Sequence, residues 1–139
     1  GLPVLADDSG LMVDALDGAP GVFSARYAGR GHNDAANNAK LLASLADASS
    51  QSRRAHFHTT LVLAQPNRPE DDLVANGDVV GEIGVVPKGE NGFGYDPFFF
   101  LPELGKTMAE LTLDQKNMIS HRGRALRELG DILNSRRTL

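Results

Sequence analysis

The sequence predicts an α/β fold with α+β character, in which an elongated mixed β-sheet is flanked by helices. Three observations carry the prediction. Segments with strand-like alternation are interleaved with segments of helical spacing, the stretch from Leu73 to Val86 reads as an antiparallel hairpin, and 139 residues suffice for one domain with a real core. An antiparallel pair among interleaved strands and helices argues for a mixed sheet rather than an all-parallel one. A single domain over residues 1–139 is therefore expected.

The elements follow in order. "LPVLADDSG" opens with a short apolar run that reads as a buried strand ending in Asp7 and Asp8. "SGLMVDALDGAPGVFSARYAG" is dense in Gly and Pro, which predicts loops around short elements, the surround of a site. Ala36, Ala39, Leu42 and Leu45, with Leu41, recur at helical spacing behind Asn33 or Asp34 as N-cap, which predicts a helix from Asp34 to Asp47. Ser49 to Arg53 reads as loop. Phe57, Thr59, Leu61 and Leu63 share one face of a strand from Arg54 to Gln65. "PNRPED" is a turn, and the hairpin that follows is expected to fold at Asn76-Gly77, with Gly81 and Gly84 as sites for bulges. "KGENGFGYDPFFFLPE" reads as a shaped loop running into a strand. Thr107 and Glu110 match a capping box that starts a short helix, and a longer helix runs from Ser120 to Arg136 with Leu126, Leu129 and Leu133 toward the core.

Composition narrows the function. A net charge of -4 without a basic block disfavours nucleic acid or a membrane surface as partner, so an anionic ligand must be held by local groups. No run reads as a signal peptide or a transmembrane span. The absence of cysteine excludes disulfides, thiolate metal sites and cysteine nucleophiles, and fits the cytoplasm.

Five constellations could bear chemistry. Two adjacent carboxylates need solvent or a cation, because burying an unpaired charge costs several kcal/mol and like charges raise each other's pKa. Asp7 and Asp8 therefore read either as a Mg²⁺ site, since this ion takes one or two carboxylates and leaves its other positions to water and phosphate, or as a turn. "GENGFGYDP" offers the aromatic faces of Phe93 and Tyr95 and the Asp96 carboxylate for a nucleobase, or an ordinary strand connection with its rings in the core. Lys116, His121, Arg122 and Arg124 gather basic charge, with His121 and Arg122 in the first turn of the last helix. Cations there oppose the helix dipole unless an anion or carboxylate joins them, and a solvated basic patch is the alternative. His56 and His58 share a strand face, as a metal pair or as a half-exposed surface. Arg26 and Tyr27 could close a site or anchor a loop.

"ADDSGL" with "GAPGVFSARYAG", then "NGFGYDPFF", then "KTMAEL" leading to "KNMISHRGRAL", with "NNAKLL" between, together resemble the Ham1/RdgB inosine triphosphate pyrophosphatase family along nearly the whole chain. The resemblance implies two lobes with a central cleft, and a homodimer. It also implies hydrolysis of inosine and xanthosine triphosphates, and their deoxy forms, to the monophosphate and pyrophosphate. Carried over by residue, Asp8 is the catalytic base and a Mg²⁺ ligand, and Asp7 joins the metal environment. Ser9, Phe93, Gly94, Tyr95, Asp96, Lys116, His121 and Arg122 bind substrate. The family's opening strand, its "TxNxxK" phosphate-binding motif and the glutamate that follows do not occur in this sequence. The chain is therefore expected to be N-terminally incomplete relative to the family, short of one phosphate-binding lysine and one metal ligand. Two competing expectations are a non-catalytic nucleotide-binding module and a Maf-like pyrophosphatase with another base preference.

Overall fold

A computed structural model describes residues 3–29, 33–47 and 52–137. Strand-forming residues give five strands: β1 (Val4–Val13), β2 (Arg54–Ala64), β3 (Leu73–Ile83), β4 (Phe99–Leu101) and β5 (Lys106–Thr107). They form one sheet in the order β1-β2-β3-β4-β5. Among the described residues three α-helices accompany it: α1 (Asp34–Asp47), α2 (Leu113–Ile119) and α3 (His121–Arg137). The mixed α/β class is as expected, while every ladder among the described residues is antiparallel. The parallel part of the expected mixed sheet does not lie among them. No helix of the described residues is long and apolar enough to cross a membrane.

The doublet does not end its strand. β1 continues through Asp7 and Asp8 to Val13, because Leu11 and Val13 still have a core to enter, and Val4 to Asp8 are exposed rather than buried. Alternation along β2 is as expected, with Ala55, Phe57, Thr59 and Leu61 buried on one face. The expected turn at Asn76-Gly77 is absent. β3 runs straight through it for eleven residues with strict alternation of buried and exposed side chains. The hairpin instead joins β2 to β3 around Pro66 and Asn67, where the Arg68 N–H donates to Gln65 O (2.8 Å) and the Gln65 N–H to Asp72 Oδ1 (2.6 Å).

Glycines in β3 make room rather than bends. A Cβ on Gly77 would fall 2.0 Å from the His121 carbonyl oxygen, and one on Gly81 would fall 2.4 Å from the Phe100 carbonyl oxygen. The β2–β3 register runs unbroken past Gly81, so no bulge forms there, and Gly84 lies beyond the strand, donating its N–H to Phe98 O (2.8 Å).

The helices start where polar caps allow. Asn33 Oδ1 accepts from the Ala36 N–H (3.0 Å) ahead of α1, and Ser120 Oγ accepts from the Gly123 N–H (3.0 Å) ahead of α3. The Thr107–Glu110 capping box is present, but it opens a single 3₁₀ turn, and a second box, Thr112 with Gln115, begins α2. In α3 the buried row is Ala125 and Leu129, whereas Leu126 and Leu133 are exposed at 52% and 37%. Close approach to Gly77 demands the small Ala125, which rotates Leu126 outward. The main core joins Leu11, Val13, Leu41, Phe57, Val79, Ile83, Phe99 and Met108 under α1 and the β4 loop. The part of the Ser49–Arg53 loop at 49–51 lies outside the described residues.

Candidate active site

A cleft of about 630 Å³ opens beside β1 and β2, and Ser9, Phe93, Asp96, Lys116, His121 and Arg122 are among its walls. Its loop wall is pinned by α1. Asp34 Oδ2 accepts from the Gly94 N–H (2.9 Å), and Asn38 Nδ2 donates to the Gly94 carbonyl (3.0 Å), so two residues one helical turn apart hold both polar groups of Gly94. Gly92, at φ +76°, leaves space for the Asp96 carboxylate to fold back and accept from the Phe93 N–H (3.1 Å). The Phe93 ring is left exposed, with Lys116 Nζ 4.6 Å and the Arg122 guanidinium 5.6 Å from its centroid. That is a face on which a planar ring could stack.

Tyr95 and Asp96 are held by neighbours. Tyr95 does not offer a free aromatic face: its ring belongs to the main core, and its hydroxyl donates to Ser24 O (2.6 Å). Asp96 has one of its two oxygens committed. Its Oδ2 is engaged by Lys116 Nζ at 2.5 Å, and both side chains are largely buried. Removing one partner of a buried pair leaves the other charge uncompensated, which typically costs about 3–5 kcal/mol. Lys116→Met should therefore lower the urea-unfolding free energy by about that much. Adding Asp96→Asn should recover most of the loss.

On β1 the pleat sends neighbouring side chains to opposite sides. Asp7 shares its side with Thr59. Its Oδ1 accepts from Ser9 Oγ (2.5 Å) and Thr59 Oγ1 (3.0 Å), and its Oδ2 pairs with Arg122 Nε (3.0 Å). Burial pushes the Asp7 carboxyl up, but the two hydroxyl hydrogen bonds and the charges of Arg122 and His121 outweigh it and hold it below the usual range. Asp8 points the other way, exposed, and two residues before Gly10, where Gly21 and Ser24 pack close. No hydrogen bond or ion pair to its carboxylate occurs among the described residues. The doublet thus does not converge on one ion. Asp7 is already neutralised by Arg122 and makes a poor Mg²⁺ ligand, whereas a lone exposed Asp8 meets the requirement of one carboxylate plus phosphate and water.

His121 is nine-tenths buried, stacked on Phe57 (ring centroids 5.0 Å apart), with Nδ1 unpartnered among the described residues. Burial first, then the Arg122 and Lys116 charges, push its pKa from 6.5 down to about 4 against the opposing pull of Asp7. Between those two values the unfolded chain binds the extra proton and the folded chain does not. Stability is therefore expected to fall as pH drops from 6.5 toward 4, by up to about 3 kcal/mol from this group. Urea melts at pH 7 and pH 4.5 measure it against His121→Gln, which should flatten the contribution.

Of the remaining candidates, His58, Arg26 and Tyr27 are engaged by neighbours. His58 Nδ1 meets Asp78 Oδ1 (2.7 Å) and its Nε2 meets Thr60 Oγ1 (3.0 Å), so it is engaged on its own surface. Among the described residues no group of three or more His, Asp or Glu gathers as a metal centre. Arg26 lies over Phe23 (5.8 Å), and Tyr27 anchors its loop by contact with Ser44 and Lys40.

The sequence profile of the Ham1 family matches residues 1–132. The chain belongs to the Ham1 family. It is 62% identical over 128 residues to the dITP/XTP pyrophosphatase of Lactobacillus johnsonii, covering 92% of this chain and 62% of that protein. It is 60% identical over 129 residues to the protein of the same name from Lactiplantibacillus plantarum, covering 93% and 62%. A HAM1 protein from Coxiella burnetii superposes with TM-score 0.92 at 47% identity, covering 97% of this chain and 68% of that one. The Ham1 protein of Staphylococcus aureus gives 0.89 at 47%, covering 96% and 68%. The chain spans about three fifths of the length of these curated relatives.

In this Ham1 chain, sequence reasoning missed Asp34 and Asn38 as clamps of the loop and Thr59 as a partner of Asp7. Asn37 belongs with them: it accepts from the Ala28 N–H (2.8 Å) and donates to Ala25 O (2.9 Å), tying the other loop to α1. A signal was present in each case. Asn37 and Asn38 are polar residues inside an amphipathic helix, and Thr59 is the one hydroxyl on the apolar row of β2.

Proposed function

We propose that this Ham1 chain carries the site for hydrolysis of inosine, deoxyinosine and xanthosine triphosphates to the monophosphate and pyrophosphate. The observation that supports it most is the meeting of Phe93, Lys116, His121 and Arg122 in one cleft, from segments far apart in sequence, with Ser9 of the doublet strand beside them. The names of the relatives point the same way.

In this reading Phe93 stacks on the base, with Gly94, Tyr95 and Asp96 shaping the loop that presents it. The two Nη groups of Arg122 have no partner among the described residues, and they are donors of the kind a 6-keto oxygen accepts and an exocyclic amine does not. Discrimination against adenine then comes from a donor that the bound base shields from water and leaves unpaired. Ser9 and His121 contact the nucleotide, and Lys116 adds positive charge near it. At the reacting end, Asp8 takes the proton of the water that attacks phosphorus, and the bond between the α and β phosphates breaks with pyrophosphate leaving. Mg²⁺ held by Asp8 would neutralise charge on the phosphate oxygens when bound. A homodimer in the cytoplasm belongs to the same proposal.

Product analysis tests the reaction class. Inosine triphosphate should yield inosine monophosphate and pyrophosphate in equal amounts, and EDTA should abolish the yield. Inosine diphosphate with orthophosphate would sink the proposal. A second reading, binding without hydrolysis, is favoured because no group of three or more His, Asp or Glu gathers at Asp8 among the described residues. Saturable binding of inosine triphosphate with no product would select it.

A further inference from the structure

We infer that Thr59 and Asp7 are positioning residues that fix the Arg122 guanidinium and thereby set the base preference of the cleft. The inference rests on the nucleotide reading of that cleft. It starts from a hydroxyl in an unexpected place. Thr59 is fully buried on a row otherwise made of Ala55, Phe57 and Leu61, where valine would fill the same space without the cost of desolvating a hydroxyl. Its hydroxyl is used: Oγ1 donates to Asp7 Oδ1 (3.0 Å) and lies 2.6 Å from the Oγ of Ser9, the residue directly opposite it in the β1–β2 register.

What this pair holds is Arg122. Its place in the first turn of α3 is unfavourable for a cation, so an anion must offset the helix dipole there. Asp7 supplies it through Nε at 3.0 Å, and Ser9 Oγ accepts from the same Nε at 3.2 Å. With Nε tied to β1, the guanidinium plane is fixed beside Phe93 and only the Nη groups are left for a ligand. The order of support is therefore Thr59 to Asp7 to Arg122, running from the core outward across β2, β1 and α3. Neither Thr59 nor Asp7 needs to touch a nucleotide to affect which one binds.

Three variants of the whole chain test this: Thr59→Val, Thr59→Ser and Asp7→Asn. Affinities for inosine triphosphate and ATP are measured by calorimetry in EDTA, and the Arg122 Nε–H resonance is followed by NMR without nucleotide. Thr59→Val and Asp7→Asn should each weaken inosine triphosphate by about tenfold and ATP by less than about twofold. Thr59→Ser should restore the wild-type ratio. The Nε–H signal should be protected from exchange in the wild type and Thr59→Ser, and lost in the other two. An unchanged ratio with a protected signal in Thr59→Val would overturn the inference. So would equal losses for both nucleotides that track a lower melting temperature, which is what a merely structural threonine would give. If the wild type binds neither nucleotide, the nucleotide reading falls by itself, and the Nε–H signal alone still decides whether Thr59 and Asp7 hold Arg122.

Discussion

Alanine at position 77 is expected to destabilise the chain by at least 3 kcal/mol, on the order of the upper end for overpacking a well-filled interior. The reason is that the obstacle is backbone. A Cβ there would fall 2.0 Å from the His121 carbonyl oxygen and 2.6 Å from the Ala125 nitrogen, and neither can rotate away. α3 would have to lift off β3, uncovering Leu73, Ala75 and Leu129, which form the second core. Lifting α3 also carries His121 and Arg122 out of the cleft, so nucleotide affinity should fall together with stability. Since small domains are stable by only about 5–15 kcal/mol, a large part of the margin would go. Gly130→Ala in the same helix is the control. Nothing lies within 4 Å of its Cβ position, and it should gain about 0.5–1 kcal/mol from helix propensity. Urea unfolding of the two variants, one filling the β3–α3 contact and the other an open position of α3, gives the comparison.

Asp8→Asn is expected to reduce turnover of inosine triphosphate by about 10²–10⁴-fold, the range for loss of a general base. The melting temperature should stay within a degree or so of wild type, because nothing among the described residues is bonded to that carboxylate and exposed substitutions of this kind change stability little. Asp7→Asn should behave in the opposite way. Its carboxylate accepts two hydroxyls and an arginine, so its loss disturbs structure and binding before it disturbs the proton transfer. Measuring kcat and melting temperature for both variants separates the two aspartates. Near-normal turnover in Asp8→Asn would remove Asp8 from its proposed role.

This separation of adjacent residues shows where the sequence was readable and where it was not. Asn33 read as a cap and Ser120 read as a first residue place α1 and α3 within a residue of their observed starts, because a side chain that satisfies a free N–H acts locally. Gly77 and Gly81 are different. Glycine serves both a turn and a close approach, and only the tertiary partner, here α3 or β4, decides between them. The strict alternation of Leu73, Ala75, Gly77, Val79, Gly81 and Ile83 did favour one continuous strand, and it outweighs the Asn-Gly dipeptide. At the site, the charged residues were legible as types, but their pairings were not. Lys116 with Asp96 and Arg122 with Asp7 join segments 20 and about 115 residues apart, and no local pattern encodes such a match. The pleat alone, however, already implied that Asp7 and Asp8 would point apart.

Selective cleavage of 6-keto purine triphosphates is tested most directly by a measurement of kcat/KM for pyrophosphate release from inosine, xanthosine, adenosine and guanosine triphosphates with Mg²⁺. It should be made on this chain and on a form extended to the length of its Ham1 relatives. Inosine and xanthosine triphosphates are expected to exceed adenosine triphosphate by about 10²-fold or more, the scale set by an unpaired polar group in a base pocket, while guanosine triphosphate, which carries the same 6-keto oxygen, reads the effect of the 2-amino group alone. Equal turnover of all four, or no release from the extended form, would contradict it.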